Sequence, residues 1–154
     1  MANTDKRDLI LDNLVAAFAA MTTGGGYNFT IGEARRGRRD IGEVPSSSFP
    51  AVYVIGADEE RENSTNSGYK STMTISIIGY VKHTDAQDTP EIERQVSKLV
   101  QDMYKAANVD PTRGGYAVYT NAGIKVETDH GIYAPMGVVL MTITVEYRAT
   151  FATP

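Results

Sequence analysis

Residues 69–81 read YKSTMTISIIGYV, and their side chains alternate in character with a period of two. One parity of the stretch is apolar, and its members are Met73, Ile75, Ile77 and Val81. The other parity is mainly hydroxylic, and its members are Thr72, Thr74, Ser76, Ile78 and Tyr80. A period of two is typical of a β-strand. So clean an alternation predicts a strand with one covered face and one face that is wet or meets a partner.

A second stretch near the C-terminus repeats the pattern. Residues 138–151 read VVLMTITVEYRATF. One face is formed by Val139, Met141, Ile143, Val145 and Tyr147, and the other by Thr142, Thr144, Glu146 and Arg148. The sequence therefore predicts two long strands, each with one apolar and one polar face.

Two other segments show the apolar spacing of helices. Residues 5–21 predict a first helix with Thr4 as a candidate N-cap, and the glycines at 24–26 end it. Residues 89–107 predict a second helix that Thr89 caps. The apolar stripes predict a core that holds both helices on the sheet, formed by Leu14, Phe18, Val96, Leu99 and Met103.

The remaining runs predict three further strands, at 27–31, 49–57 and 116–128, the last of them interrupted near 121–123. The resulting order is helix, strand, strand, strand, helix, strand, strand. Two helices can cover one face of a five-strand sheet. The sequence therefore predicts a single α+β domain over residues 1–154. It has one mixed or antiparallel sheet of about five strands, with both helices packed on one face.

The composition fits one domain and excludes several classes of site. The chain has 154 residues, of which 42% are hydrophobic, enough for one domain with its own core. The absence of cysteine excludes disulfides, thiolate zinc sites and a cysteine nucleophile. A net charge of −4 argues against a general grip on nucleic acid. The N-terminus is polar and no apolar run reaches roughly 20 residues, so we expect a soluble protein without signal peptide or membrane span.

The chain shows no residue pattern typical of an enzyme, and we expect no catalytic activity, cofactor or metal site. The glycines at 24–26 lack the Lys-Ser/Thr of a phosphate-binding loop. His83, Asp85 and Asp88 are of metal-ligand types. They lie in a polar turn before the second helix, however, where Asp is common for local hydrogen bonding.

Two charge clusters follow the first two predicted strands. The basic cluster consists of Arg35, Arg36, Arg38 and Arg39, and the acidic cluster of Asp58, Glu59, Glu60 and Glu62. If the preceding strands are antiparallel neighbours, the clusters lie at opposite ends of the sheet. A ring of head-to-tail subunits would then bring the two patches together. The alternative is that both are solvated loops that aid solubility.

A resemblance to a known family is carried by residues 49–53 (FPAVY), by residues 145–148 (VEYR) and by the order of the elements. These features resemble the tail terminator proteins of long, non-contractile-tailed phages, and related minor tail or head–tail joining proteins. The similarity covers nearly the whole chain. It implies a sheet with helices on one side and a hexameric ring at the head-proximal end of the tail tube. Such a ring stops tube growth and offers the surface that joins the head.

The resemblance also implies partners and a location. The partners are further copies of this chain, the major tail tube protein and a head-completion or neck protein. DNA is met only as it passes through the channel, and no membrane is involved. The location is the virion, after synthesis in the host cytoplasm. Two alternatives stay open: another neck or tail component, such as a head-completion stopper or a tube subunit, and a small ligand-binding α+β domain.

The polar connections at 35–48 and 58–68 are the predicted contact regions, because loops on a rigid scaffold commonly carry binding residues. Neither has enough apolar residues to fold on itself, so we expect one to contact a neighbouring subunit and the other the tube or the head-side partner. The candidate interface residues are Arg35, Arg38, Arg39, Asp58, Glu59, Glu60 and Glu62. The arginines could instead line the channel. We favour protein contacts, since repeated phosphate contacts would hold DNA that must slide.

Overall fold

A computed structural model describes residues 5–151, apart from the side chains of residues 123 and 124. Within this range the helices are α1 (Lys6–Ala19) and α2 (Thr89–Asn108). The strands are β1 (Glu33–Arg36), β2 (Ala51–Asn63), β3 (Gly68–Lys82), β4 (Tyr119–Thr128) and β5 (Met136–Thr150). The two strands with the cleanest alternation, β3 and β5, occur where the sequence predicts them.

These five strands form one mixed sheet in the order β1-β2-β3-β5-β4. Strands β1 and β2 run parallel, and the other three pairs are antiparallel. Both helices pack on the same face of this sheet, because their buried residues share one core with the apolar parity of β3 and β5. The predicted fold class is therefore confirmed.

The predicted helical stripes are also confirmed. Each of the five predicted core side chains is at most 1% exposed: Leu14, Phe18, Val96, Leu99 and Met103. They meet the apolar faces of β3 and β5, of which Ile75, Ile77 and Ile143 are completely buried. Burial of this apolar area supplies the main stabilisation of the fold.

Two glycines set the distance between α2 and the sheet. A Cβ atom at Gly79 would lie 2.7 Å from the sulfur of Met103, and one at Gly137 would overlap the side chain of Val96. Glycine is therefore needed at both positions so that the helix can approach the strands closely.

Aspartates cap both helices. The Asp5 side chain accepts a hydrogen bond from the Arg7 N–H at 3.0 Å, while the predicted cap Thr4 lies outside the described residues. At α2 the cap is Asp88, which accepts from the Glu91 N–H, and the predicted cap Thr89 is the first helical residue. A carboxylate is favoured at this position because it also complements the helix dipole.

The predicted strand at 27–31 is wrong. Tyr27, Phe29 and Ile31 do pack against the core, which produces the alternating pattern. The backbone, however, bonds to a side chain instead of to a strand: the N–H groups of Asn28 and Phe29 both donate to the Asp102 carboxylate at 2.9 Å. The strand that joins the sheet, β1, begins two residues after this stretch, at Glu33.

The acidic connection predicted at 58–68 is wrong for most of its length. Strand β2 continues to Asn63 and pairs with β3 throughout, so only residues 64–67 form the turn. Backbone hydrogen bonds of an antiparallel pair do not require apolar side chains. A polar sequence therefore extends the hairpin when its partner strand is long. In β4 the predicted interruption is confirmed by a register shift between Asn121 and Lys125.

Candidate interaction surfaces

The connection between β1 and β2 packs against the face of the sheet opposite the helices. Its side chains Ile41, Val44 and Phe49 form a second apolar cluster with Tyr53 of β2 and Tyr80 of β3. The sequence predicts too few apolar residues in this connection for it to fold on itself, and the structure shows that it packs on the sheet instead. The reason is that three apolar side chains suffice when a sheet face completes the cluster.

Two arginines of the basic cluster lie in β1, where successive side chains point to opposite faces. Arg36 points to the helix side and forms ion pairs with Asp8 and Asp12 of α1. Arg35 points to the other side, where its guanidinium lies 3.4 Å from Glu33. The first half of the cluster thus belongs to a strand and not to the predicted loop.

Arg39 is part of a structural network beneath the same connection. Its guanidinium donates to both oxygens of Glu33, at 3.1 and 2.9 Å. The Tyr53 hydroxyl donates to the same carboxylate, and the Tyr80 hydroxyl donates to the Arg39 carbonyl at 2.9 Å. The hydrogen bond from Tyr53, helped by Arg35 and Arg39, holds the pKa of Glu33 below its usual value. Burial and the bond to Glu33 raise the pKa of Tyr53 to about 12.

The acidic cluster is divided between the two faces of β2. Glu59 faces the helix side, where its carboxylate accepts from the buried Tyr147 hydroxyl at 2.6 Å and pairs with Arg61. Arg7 of α1 lies 3.9 Å away. Burial raises the pKa of Glu59, but the bonds from Tyr147 and Arg61 outweigh it and leave the pKa below its usual value.

Asp58, Glu60 and Glu62 lie on the other side of β2 and are exposed. They form one margin of the face away from the helices, which we call the open face. Its centre carries the hydroxyl residues Thr72, Thr74, Ser76, Thr142 and Thr144. The register aligns these residues in rows across the sheet. The open face is therefore polar between the apolar cluster at one end and charged residues at the other.

The candidate interface residues thus separate into two groups. Arg39 and Glu59 are half-buried and bonded within the chain, so they hold the structure. The others are exposed: Arg35, Arg38, Asp58, Glu60 and Glu62. The Arg38 side chain is 71% exposed even though it is paired with Asp40.

The two charge clusters lie on the same lateral side of the sheet. The conditional expectation of opposite ends required β1 and β2 to be antiparallel, but they are parallel. Residues 37–39 and residues 58–62 of β2 therefore both lie beyond the same end of the β1–β2 pairing, on the lateral side that these two strands form. A head-to-tail contact joins two different sides of a subunit. It would therefore place each cluster against the far side of the next copy, and not against the other cluster.

That far side is the β4 edge, which we define by β4 and the segment that leads into it. Of the nine large apolar side chains that are exposed among the described residues, six lie here or at the adjoining end of α2: Tyr104, Val109, Tyr116, Val118, Tyr119 and Val126. Val118 and Tyr119 are more than half exposed, at 51% and 57%. This surface is not among the sequence-based predictions. Its signal in the sequence is the run YAVY at 116–119, which is apolar on both parities and so cannot be covered by one core.

Other polar groups form local contacts. His83 lies 3.6 Å from the Asp88 carboxylate that caps α2. Among the described residues no group of three or more His, Cys, Asp or Glu side chains is placed to bind a metal ion.

A concavity of 530 Å³ lies beside the β2–β3 turn, where Lys6, Tyr69 and Arg148 contribute to its lining. No helix within residues 5–151 has the length and apolar character required to cross a bilayer.

No protein-family model matches the chain, and no curated protein is significantly similar to it.

Proposed function

We propose that the protein is a structural subunit of a phage virion. It forms a ring at the head-proximal end of the tail tube, where it ends tube growth and provides the head-joining surface. The proposal starts from the resemblance of residues 49–53, residues 145–148 and the element order to tail terminator proteins. That family implies a sheet with helices on one side, and this chain has that arrangement.

The observation that carries the proposal is the unequal character of the two lateral sides of the sheet. One side is charged, with Arg35, Arg38 and Asp58 exposed, and the other is rich in exposed apolar residues such as Val118 and Tyr119. Exposed apolar residues that gather on one side of a molecule, rather than being scattered singly, are typical of protein contacts. Different surfaces on opposite sides of one subunit are what a closed ring of head-to-tail contacts requires.

In this ring the partners are further copies of the chain, six in the complete ring, the major tail tube protein below and a head-completion protein above. DNA passes through the central channel of the ring. The middle of the open face, with Thr74 and Thr144, is hydroxyl-rich. None of the described residues there is an arginine that would hold the phosphates of passing DNA.

The test combines mass and location. Native mass spectrometry of the purified protein is expected to show a six-fold mass, and antibody labelling of virions is expected to mark the junction of head and tail. Tubes assembled from the major tail tube protein of the same phage should stop growing when the protein is added. Labelling along the whole tube would contradict the proposal and indicate a tube subunit. A protein that is monomeric and absent from virions would contradict it as well.

A further inference from the structure

Within residues 5–151 the sheet has an edge without a partner strand on each lateral side. Strand β1 covers β2 only along Ala51–Val54, so residues 55–63 form the edge of the sheet beyond it. On the opposite side β4 is the last strand of the sheet order. Unpaired N–H and C=O groups on such edges are templates for pairing with another chain.

On the β2 edge, an arginine side chain binds one of the backbone groups that point away from β3. The Ala57 carbonyl accepts a hydrogen bond from the Arg7 guanidinium at 2.6 Å. Because the direction of the backbone groups alternates along a strand, Glu59, Arg61 and Asn63 present theirs along the same edge. β3 pairs with the other edge of this part of β2, and among the described residues no strand pairs with the outer edge.

On the β4 edge, a hydrogen bond to β5 shows which backbone groups of β4 point away from the sheet. The Asp129 N–H donates to the Val138 carbonyl, so residue 129 faces β5. Alternation then directs the backbone groups of Thr128 and Val126 outward. Val126 is 41% exposed, and the Lys125 side chain beside it is 64% exposed while it pairs with Glu127 of the same strand.

We infer that the β4 edge of one subunit pairs in antiparallel fashion with residues 55–63 of β2 in the next copy, which joins the sheets around the ring. The inference rests on the proposed ring and specifies the contact that builds it. The pairings β2–β3, β3–β5 and β5–β4 are all antiparallel, so β4 runs antiparallel to β2. If the axis of the ring runs roughly along the strands, rotation to the next copy keeps the strand directions. The β4 strand of one copy is then antiparallel to β2 of the next.

The register of the pairing follows from sterics and charge. Lys125 lies in the same row as Thr142, Ser76 and Gly56. Closing a sheet into a ring requires a stagger between strands. A stagger in one direction is blocked because β1 occupies Ala51–Val54. A stagger of two residues in the other direction places Lys125 opposite Asp58 of the next copy. The same stagger places Val126 opposite Ala57 of that copy. The backbone groups of Val126 and Ala57 both point outward, so they can bond to each other.

Charge complementarity and apolar burial both favour a second copy as the occupant. The open-face residues of β2 beyond Gly56 are Asp58, Glu60 and Glu62, so Lys125 meets a carboxylate in this register. Opposite charges directly across a strand pair are favourable. The contact also covers Val126 and the exposed residues Val118 and Tyr119. Arg7 would release Ala57 on pairing and has Glu59 within 3.9 Å to receive it.

Cysteine cross-linking tests the inference directly, because the chain contains no cysteine. In the variant that combines Asp58→Cys with Lys125→Cys, the two thiols lie across a pair of adjacent strands, at a Cα separation suited to a disulfide. Oxidation is expected to give a ladder of dimers, trimers and larger species on a denaturing gel. Each single variant alone should stay monomeric on that gel, and a mixture of the two should stop at dimers.

The control combines Asp58→Cys with Ser97→Cys, which places the second thiol on the exposed face of α2 and should give no ladder.

Dimers from Lys125→Cys alone would overturn the inference, since they require β4 to pair with itself. A six-fold native mass without cross-links would overturn the inference and leave the proposed ring intact. A ladder from a protein that does not bind tail tubes would contradict the proposed function and leave the sheet contact standing. Monomers without cross-links at every concentration would overturn both.

Discussion

At the scale of single residues, buried or half-buried carboxylates hold the irregular parts of this chain. Asp102 accepts two backbone N–H groups from the segment after α1. Asp110 accepts from Thr112 and Gly114 in the turn that follows α2, and Asp129 accepts from two N–H groups beyond β4. Hydrogen bonds to an ionised acceptor are roughly twice as strong as neutral ones. Each of these turns therefore depends on one side chain.

Replacing Asp102 should destabilise the protein strongly. Asp102→Ala leaves the N–H groups of Asn28 and Phe29 without an acceptor, and the side chain is only 3% exposed. We expect a loss of about 2–4 kcal/mol in the free energy of unfolding, measured by urea denaturation. Ser97→Ala, at an exposed position of the same helix, should change it by less than about 0.5 kcal/mol. A loss below that limit for Asp102→Ala would show that water replaces the carboxylate.

Glu33 should make stability depend on acid pH. Its pKa is lowered in the folded protein by the hydrogen bond from Tyr53 and by Arg35 and Arg39. A group of this kind stabilises the fold above its ordinary pKa of 4.5, and the contribution is lost as the pH falls through the folded value. Glu33→Gln should therefore cost about 1–2 kcal/mol at neutral pH and progressively less below pH 4.5.

Urea denaturation of the wild type and of Glu33→Gln, repeated across this pH range, measures the difference. Glu43→Gln serves as the control, because Glu43 is exposed on the same connection. A difference between wild type and Glu33→Gln that stays constant down to about pH 3 would contradict the assigned role.

At the scale of elements, each helix and strand is defined by what its faces meet. Strand β3 lies at the centre of the sheet, with the helices on one face and the open face on the other. Helix α2 packs on β3 and β5 through Val96, Leu99 and Met103, at a distance that Gly79 and Gly137 permit. Substitutions in this layer should therefore act on the stability of the whole domain.

Truncation of the helical core is expected to be costly. Phe18→Ala in α1 or Leu99→Ala in α2 removes a completely buried side chain and leaves a cavity. The expected loss is about 2–5 kcal/mol in the free energy of unfolding for either variant. Tyr104→Ala, at a half-exposed position of α2, is the control and should cost far less. A loss under about 0.5 kcal/mol for Phe18→Ala or Leu99→Ala would contradict the packing of that helix.

At the scale of the whole molecule, the two lateral sides differ in chemistry. The side of β1 and β2 carries the exposed charges of Arg35, Arg38 and Asp58, while the β4 edge carries exposed Val118 and Tyr119. Charges at such a surface contribute little to the stability of a monomer, because solvent screens them. They act mainly on the encounter and specificity of partners.

Reversing the exposed Arg38 should therefore affect assembly more than folding. For Arg38→Glu we expect weaker ring formation by native mass spectrometry in low salt and a nearly unchanged thermal midpoint, because the side chain is 71% exposed. Arg35 and Arg39 are left in place because both contact Glu33. Arg94→Glu, on the exposed surface of α2, should leave assembly unchanged. An unchanged ring mass for Arg38→Glu would show that this arginine is not at a subunit contact.

The sequence alone determined the local order of this protein and the faces of its main elements. The period of two in residues 69–81 and 138–151 identified β3 and β5 with their buried parities, and the helical spacing identified the core faces of α1 and α2. These patterns are readable because the side chains of one face must share one environment, and that repeat is local in the chain. Charge alone also named the seven candidate interface residues, but it did not show which five of them are exposed.

Only the tertiary structure decided which elements pair and which charged groups remain free. The parallel pairing of β1 with β2, the extension of β2 to Asn63 and the capture of residues 28 and 29 by Asp102 all depend on partners distant in the chain. The same holds for Glu59, which is drawn inward by Tyr147 across 88 positions of sequence. Backbone donors and charges bond to whichever group the fold brings near, so no local period records the outcome. The apolar β4 edge belongs here too, because exposure is fixed by what the rest of the chain leaves uncovered.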